Sequence, residues 1–366
     1  MKTLLKIVAI AVVVLLFGTC NSKDYGNDFT VLSVNIDENA ALPMSEIAEN
    51  IQAIELELTD ESLIRSHVIL RVIVDGEHIF VAENRKIMLF DSNGKFIRQI
   101  GSIGQGPGEF VSVSDIAVDS KNKLIYISTS IKKKILCYDY EGKFIKESPN
   151  DFIESNSTSN YIYFFDNELM ILSETYKKSE DGLINSISLL KLDQDFVISK
   201  RIHIREQKIV AYWTNPLYSN VLSRDGKNDE YLYFYDTSPT LFVPDTLYQL
   251  KDDRLTSNLK LEFNHPTISG EKKNVYLMNI CKSQRYVYTY YMYDPNSSYY
   301  QYIYDTKTGK GYNSKIGLTD DIHTGETFAI RPLANTSENF FYLHTNMNDD
   351  ATEEPNPTLY IGTLKQ

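Results

Sequence analysis

Cysteine is almost missing from this chain of 366 residues, which has only three, and tryptophan occurs once. Cys20 ends the N-terminal apolar run, so only Cys137 and Cys281 remain, too few for a disulfide framework. Both lie in strand-like apolar surroundings and are expected to be buried free thiols, with one disulfide between them as the alternative in an oxidising compartment. Long hydrophobic runs are missing too. The run from Ile7 to Phe17 is too short for a membrane-spanning helix, which needs about 20 residues. Positive charge is in deficit, with 37 Lys and Arg against 49 Asp and Glu. Such a surface repels nucleic-acid phosphates and anionic headgroups, which excludes nucleic acid as a partner. Helical periodicity is absent apart from a turn or two within residues 45–52. No G-x-S-x-G elbow occurs. The six histidines, at 67, 78, 203, 265, 323 and 344, show no metal-ligand spacing.

What is present begins with Lys2 and Lys6 before the apolar run and Gly18-Thr19-Cys20 after it, the pattern of a secretory signal. A cysteine directly behind small residues at that point resembles a bacterial lipobox, in which the thiol is lipidated and becomes the new N-terminus. Phe17 stands where Leu is usual, and Thr19 where Gly or Ala is usual. The resemblance implies that residues 1–19 are removed and that acyl groups on Cys20 hold the protein to a membrane without a spanning helix. Residues 20–50 are expected to form a tether and lead-in, and 51–366 the folded domain.

The rest alternates short runs rich in Val, Ile, Tyr and Phe with clusters of Asp, Asn, Gly and Lys, the signature of strands and turns. The 26 tyrosines fall mostly on these runs. The chain also resembles itself. "VIVDGEHIFVAENRKIMLFDSNGKFIRQIG" from Val72 matches "IAVDSKNKLIYISTSIKKKILCYDYEGKFIKES" from Ile116, with Val74 on Val118 and Asp91, Gly94 and Lys95 on Asp139, Gly142 and Lys143. Each unit supplies an inner strand, a second strand (His78–Ala82; Leu124–Ser128), a third ending in Asp and a fourth after a Gly-Lys turn. Four antiparallel strands repeating at about 40–50 residues make propeller blades. Second strands recur as "ELMILSE", "EYLYFYD", "RYVYTYYMYD" and "NFFYLHT", which brings the expected count to six. The last unit lacks a fourth strand after Leu364. A strand near "IELELT", from Ile54, is expected to complete it and close the ring. The fold class is therefore all-β, a six-bladed propeller closed by an N-terminal strand.

These features, with "LTDESLI" at Leu58, "KIMLFDSNGKFIRQIGSIGQGPGEF" at Lys86, "VSDIAVD" at Val113, "DTLYQL" at Asp245 and "NPTLYIGTLK" at Asn356, make the chain resemble the six-bladed β-propeller lipoproteins of Bacteroidota, whose blades are similar to NHL repeats. The resemblance covers nearly the whole mature chain and implies an envelope location, in the outer membrane, facing the periplasm or the surface. It implies no single ligand or reaction. Some related propellers bind zinc through histidines from different blades, which leaves a histidine cluster open as one alternative, while calcium-dependent ones that use channel Asp, Asn and Glu point to Asp115, Asn220 and Asn279 as the other. No cofactor is expected otherwise, with calcium the exception.

The stretch "GSIGQGPGEF", Gly101 to Phe110, has the look of a phosphate loop. Such a loop needs a following helix whose free N–H groups meet the anion, and here "VSVSDIAVD" alternates like a strand. The stretch is expected to be the crossing from blade 1 to blade 2, with Glu109 accepting backbone N–H groups in its turn. "KTGKGYNSKIG" is expected to be a hairpin turn, and "NMNDDATEEPNPT" a solvated loop. Because crossings share the face on which the channel opens, Gln105, Glu109 and Asp115 are the candidate ligand-binding residues. The expected function is a non-catalytic binding or scaffold module for a glycan, peptide or envelope protein. The alternative is a metal-assisted hydrolase or lyase working in the channel.

Overall fold

The structure is a computed structural model that describes residues 29–65, 69–129, 131–149, 157–180, 182–209, 222–234, 243–334, 336–345 and 355–366. The signal segment, Cys20, His67, Asn220 and most of the "NMNDDATEEPNPT" loop lie outside the described residues.

Six antiparallel sheets of four strands stand in a ring as the blades of a propeller. Blade 1 runs Ile69–Asp75, His78–Glu83, Ile87–Asp91 and Phe96–Gln99, from the channel outward. Blade 2 follows with Val113–Asp119, Leu124–Thr129, Ile135–Asp139 and Phe144–Glu147. The longer blade 3 has Ser157–Phe165, Glu168–Ser179, Gly182–Leu192 and Ile198–Ile209. Blade 4 comprises Leu222–Arg224, Glu230–Leu232, Thr246–Lys251 and Arg254–Phe263. Blade 5 has an inner edge in two pieces, Val275–Leu277 and Cys281–Lys282, then Tyr286–Tyr293, Ser298–Asp305 and Lys310–Lys315. Blade 6 has Arg331–Leu333, Thr336–His344 and Thr358–Leu364, and takes its outer strand, Ala48–Glu55, from the N-terminal part of the chain.

Why the third strands read as unbroken apolar runs follows from this stacking, because each is covered on both faces. In blade 1, Ile87 and Leu89 enter the core shared with blade 2, while Met88 and Phe90 enter the core shared with blade 6. In blade 2, Leu136 and Tyr138 face back toward blade 1, and Ile135 and Cys137 face forward to blade 3. The turns repeat as well. Asp91 Oδ1 accepts the amides of Asn93 and Lys95, both at 2.9 Å, and Gly94 takes φ +84°. Asp139 treats Lys143 in the same way, with Gly142 at φ +80°. Gly94 has a second reason to lack a side chain, since a Cβ there would lie 2.1 Å from the Glu55 carbonyl oxygen of the closing strand.

Closure differs in detail from the expected strand at Ile54. The strand begins at Ala48, after a single helical turn, Met44–Ile47, and stops at Glu55. It ends there because Glu57 turns aside to hold the blade 1 hairpin, its amide donating to the Gly94 carbonyl and its carboxylate accepting from the Phe96 amide. The lead-in before it is also built into the ring. Thr30–Val34 adds to the outer edge of blade 4 as a fifth strand, parallel to Leu259–Phe263, and buries Leu32 and Val34.

Candidate functional site

The glycine-rich segment is the crossing from the outer strand of blade 1 to the inner strand of blade 2. Its backbone is knitted to itself: Phe110 N–H donates to the Ser102 carbonyl, and Gly104 N–H to that of Phe110. Glu109 accepts the Gly106 amide at 2.8 Å, as expected. The Lys132 ammonium caps the turn by donating to the carbonyls of Gly106 and Glu109. Gly101, at φ +67°, faces the rings of Phe110 and Tyr138, and Gly108, at φ +73°, lies on Phe144. Packing therefore accounts for these glycines. Gln105 is exposed on this crossing.

The inner strands of blades 1, 2 and 3, with Arg224 from blade 4 and Ala334 from blade 6, enclose a cavity of about 190 Å³. Its polar lining includes Arg71, Ser120, Tyr163, Asp166 and Arg224. Asp115 stands behind this lining, 2% exposed. Arg71 donates to it twice, Nε to Oδ1 at 2.6 Å and Nη2 to Oδ2 at 2.5 Å. The same carboxylate accepts the amides of Ile116 at 2.9 Å and Ile162 at 3.0 Å, so Asp115 joins blade 2 to both of its neighbours. Burial pushes its carboxyl up, and Arg71 with the two amides pulls it back. The Arg71 guanidinium also lies 5.1 Å from the Tyr163 ring centre. The Tyr163 hydroxyl accepts the Leu222 amide of blade 4, and burial is the main cause of its raised pKa. One hydrogen-bonded chain thus runs through blades 1 to 4.

Inner strands all run the same way, so Arg71 and Asp115 lie toward the crossing face and Asp166 and Arg224 toward the other. Arg224 grips Asp166 through both terminal nitrogens, at 3.2 and 2.7 Å, and Glu230 at 2.5 Å, with its guanidinium 4.3 Å from the Phe165 ring centre. Its Nε is buried without a partner. Asp166 is 75% exposed, so the Arg224 ion pair reaches the surface at this end.

Asp115, expected from the sequence to meet a ligand, lies behind the cavity lining and holds neighbouring blades together, while Arg71, Tyr163 and Arg224, which line the cavity, were not anticipated. Asn279 is buried at blade 5, where its side chain accepts the Tyr290 amide at 2.9 Å and its carbonyl the Thr289 hydroxyl. Among the described residues no three His, Cys, Asp or Glu side chains are grouped to hold a metal ion. Cys137 and Cys281 are free and buried.

Residues 29–361 match the family described as a domain of unknown function, DUF4934. No curated protein matches. Among solved structures, a protein of Bacteroides fragilis NCTC 9343 described as exported is similar over 92% of this chain and 100% of its own, at 17% identity and a TM-score of 0.66. A member of the DUF4221 family from Bacteroides vulgatus ATCC 8482 is similar over 87% of this chain and 97% of its own, at 11% identity and a TM-score of 0.50. At these identities the likeness is one of fold.

Proposed function

Because the chain belongs to the DUF4934 family, which carries no assigned activity, we propose a function from the geometry: an exported, lipid-anchored propeller that binds a small polar unit of a glycan, peptide or envelope protein in its channel. The observation that carries this reading is the 190 Å³ cavity at the ring's centre, lined by a tyrosine and two arginines. Its volume is below the roughly 300–1,000 Å³ of pockets that enclose a drug-sized molecule. It suits one sugar ring or one amino-acid residue at the end of a longer partner. The charges around it are matched to each other, Arg71 to Asp115 and Arg224 to Asp166 and Glu230. That arrangement favours holding a ligand over activating one. On the opposite face Gln105 is the exposed candidate for touching a partner, while Glu109 and Asp115 act by fixing the crossing and the inner strands.

The anchor is Cys20, in keeping with the lipobox-like leader and the NHL-like lipoproteins that the blades resemble. The outer membrane is the proposed location, and no helix among the described residues is long and apolar enough to cross a membrane. Cys20→Ala is expected to abolish fatty-acid labelling and to release the protein to the soluble fraction. Labelling that persists would overturn the anchor. For the channel, a thermal-shift panel of monosaccharides and dipeptides is expected to raise the melting temperature of the wild type, and Arg224→Ala to remove the response. A wild type indifferent to the whole panel would overturn the small-ligand reading.

A further inference from the structure

The charges around the channel cavity do not cancel. At its buried end Arg71 faces one carboxylate, Asp115, and that pair is balanced. At its other end Arg224 faces two, Asp166 at 2.7 Å and Glu230 at 2.5 Å. One negative charge is therefore in excess at that end. Asp75, at the end of the blade 1 inner strand, does not add to it, because Lys123 answers it at 3.1 Å.

The excess sits at the mouth. Of the residues that line the cavity, only Ser120 and Asp166 are exposed. Each directly follows an inner strand, Val113–Asp119 in blade 2 and Ser157–Phe165 in blade 3, so the mouth lies on the face opposite the crossings. Arg224 fixes the Asp166 carboxylate through both of its oxygens, yet the side chain stays 75% exposed. A carboxylate has about four acceptor sites, and the two that Arg224 takes leave others for a ligand. Between this mouth and Arg71 the walls are apolar, formed by Ile73, Ala117, Val118, Phe164 and Ala334.

We propose that the channel receives the first residue of a peptide, with its free α-ammonium on Asp166 and its aliphatic side chain between Ile73, Val118 and Phe164. The inference rests on the channel reading above and selects one of the ligand classes that reading allows. A cleft mouth of one sign, set in low-dielectric walls, concentrates the opposite charge. The α-ammonium is bonded to the Cα, so its charge remains at the mouth while the side chain points inward. A lysine side chain entering head first would instead carry its ammonium past Asp166 toward the Arg71 guanidinium. A sugar ring would leave hydroxyls unpaired against Ile73 and Val118, which costs free energy. An acidic first residue meets the excess negative charge and is disfavoured.

The test uses the full chain and isothermal titration calorimetry with Leu-Gly-Gly, its N-acetylated form, Asp-Gly-Gly, free leucine and N-acetylglucosamine. Leu-Gly-Gly is expected to bind, and the acetylated peptide and Asp-Gly-Gly to bind at least tenfold more weakly. Free leucine, whose carboxylate adds a negative charge at the mouth, is expected to fall between them. Asp166→Asn is expected to melt like the wild type, because asparagine suits the φ of +51° found there. It is expected to weaken Leu-Gly-Gly at least tenfold and to leave the acetylated peptide unchanged. Equal binding of the free and acetylated peptides would overturn the proposal, as would undiminished binding of Leu-Gly-Gly by Asp166→Asn. Binding of N-acetylglucosamine in place of every peptide would overturn it while the channel reading stands. A wild type indifferent to all five ligands would overturn both.

Discussion

Arg71 and Asp115 occupy equivalent places in successive blades, 44 residues apart, and close on each other across the blade boundary with contacts of 2.6 and 2.5 Å. Both are almost fully buried, at 6% and 2% exposure. Breaking such a pair strands a charge away from water, which typically costs about 3–5 kcal/mol. Asp115→Ala and Arg71→Ala are each expected to lower the free energy of unfolding by that order, read as a lower urea midpoint with an unchanged slope. The double substitution Arg71→Met with Asp115→Leu is expected to recover much of the loss. Unfolding free energies within about 0.5 kcal/mol of wild type for both single variants, on the scale of ordinary surface changes, would mean the pair does not hold the blades together.

Ring closure rests on one strand with partners on both sides. Thr358–Leu364 pairs with Thr336–His344 on one edge and with Ala48–Glu55 on the other. Deleting the last ten residues removes both ladders and exposes the cores on either side of blade 6. The truncated protein is expected to lose its cooperative thermal transition. A sharp transition shifted by only a few degrees would show that the ring survives open.

Acid sensitivity should appear at the hairpin of blade 5. Hydrogen bonding to Arg285 is the largest cause that holds the Asp305 carboxyl at about 2, helped by the Lys307 amide. The folded value lies below the ordinary aspartate value of about 3.9. The group's contribution is therefore complete above about pH 4 and is lost as pH falls through about 2. Its place on the rim keeps this near 1 kcal/mol. In urea melts the advantage of wild type over Asp305→Asn should shrink across that window. An advantage constant with pH would rule out the charge as its source.

Thiol reactivity offers a simple check of packing. Burial pushes Cys137 up to about 11 and Cys281 higher still, and neither side chain reaches solvent. In a chain carrying Cys20→Ser, neither is expected to react with an aromatic disulfide reagent at pH 8, and both are expected to react in guanidinium. Rapid labelling of the native protein would contradict the closed cores around blades 2 and 5.

The blades were legible because a stacked unit must repeat its turns and its two-sided strands. The second strands expected at His78–Ala82 and Leu124–Ser128 each extend one residue further, to Glu83 and Thr129. The parallel strand Thr30–Val34 was not legible. Five residues reading "TVLSV" carry no mark of a partner more than 200 positions away, and only the exposed edge of blade 4 gives them one. Arg71 did leave a signal, since the repeat that sets Val74 on Val118 also sets Arg71 on Asp115, and opposite charges at equivalent apolar positions ask to be paired. Tyr163 and Arg224 left none, because blades 3 and 4 diverge too far from the repeat to align their inner strands. The glycines of the crossing mark a turn in the sequence itself, but Phe110 and Phe144, the rings that require them, can be seen only once the blades stack.

The clasp between the two ends of the folded chain also sets a timetable. The Lys365 ammonium donates to the Ser45 carbonyl, 320 residues away, just where Ala48–Glu55 meets its partner. At a synthesis rate of about 5–20 residues per second, the strand made among the first waits roughly 15 to 60 seconds for the one made last. Thr30–Val34 likewise waits for blade 4. During that interval Leu32, Val34, Met44 and Ile54, all buried in the finished ring, have nothing to cover them. The young chain is thus most adhesive at its leading end, and a holding chaperone that acts early would find its substrate there.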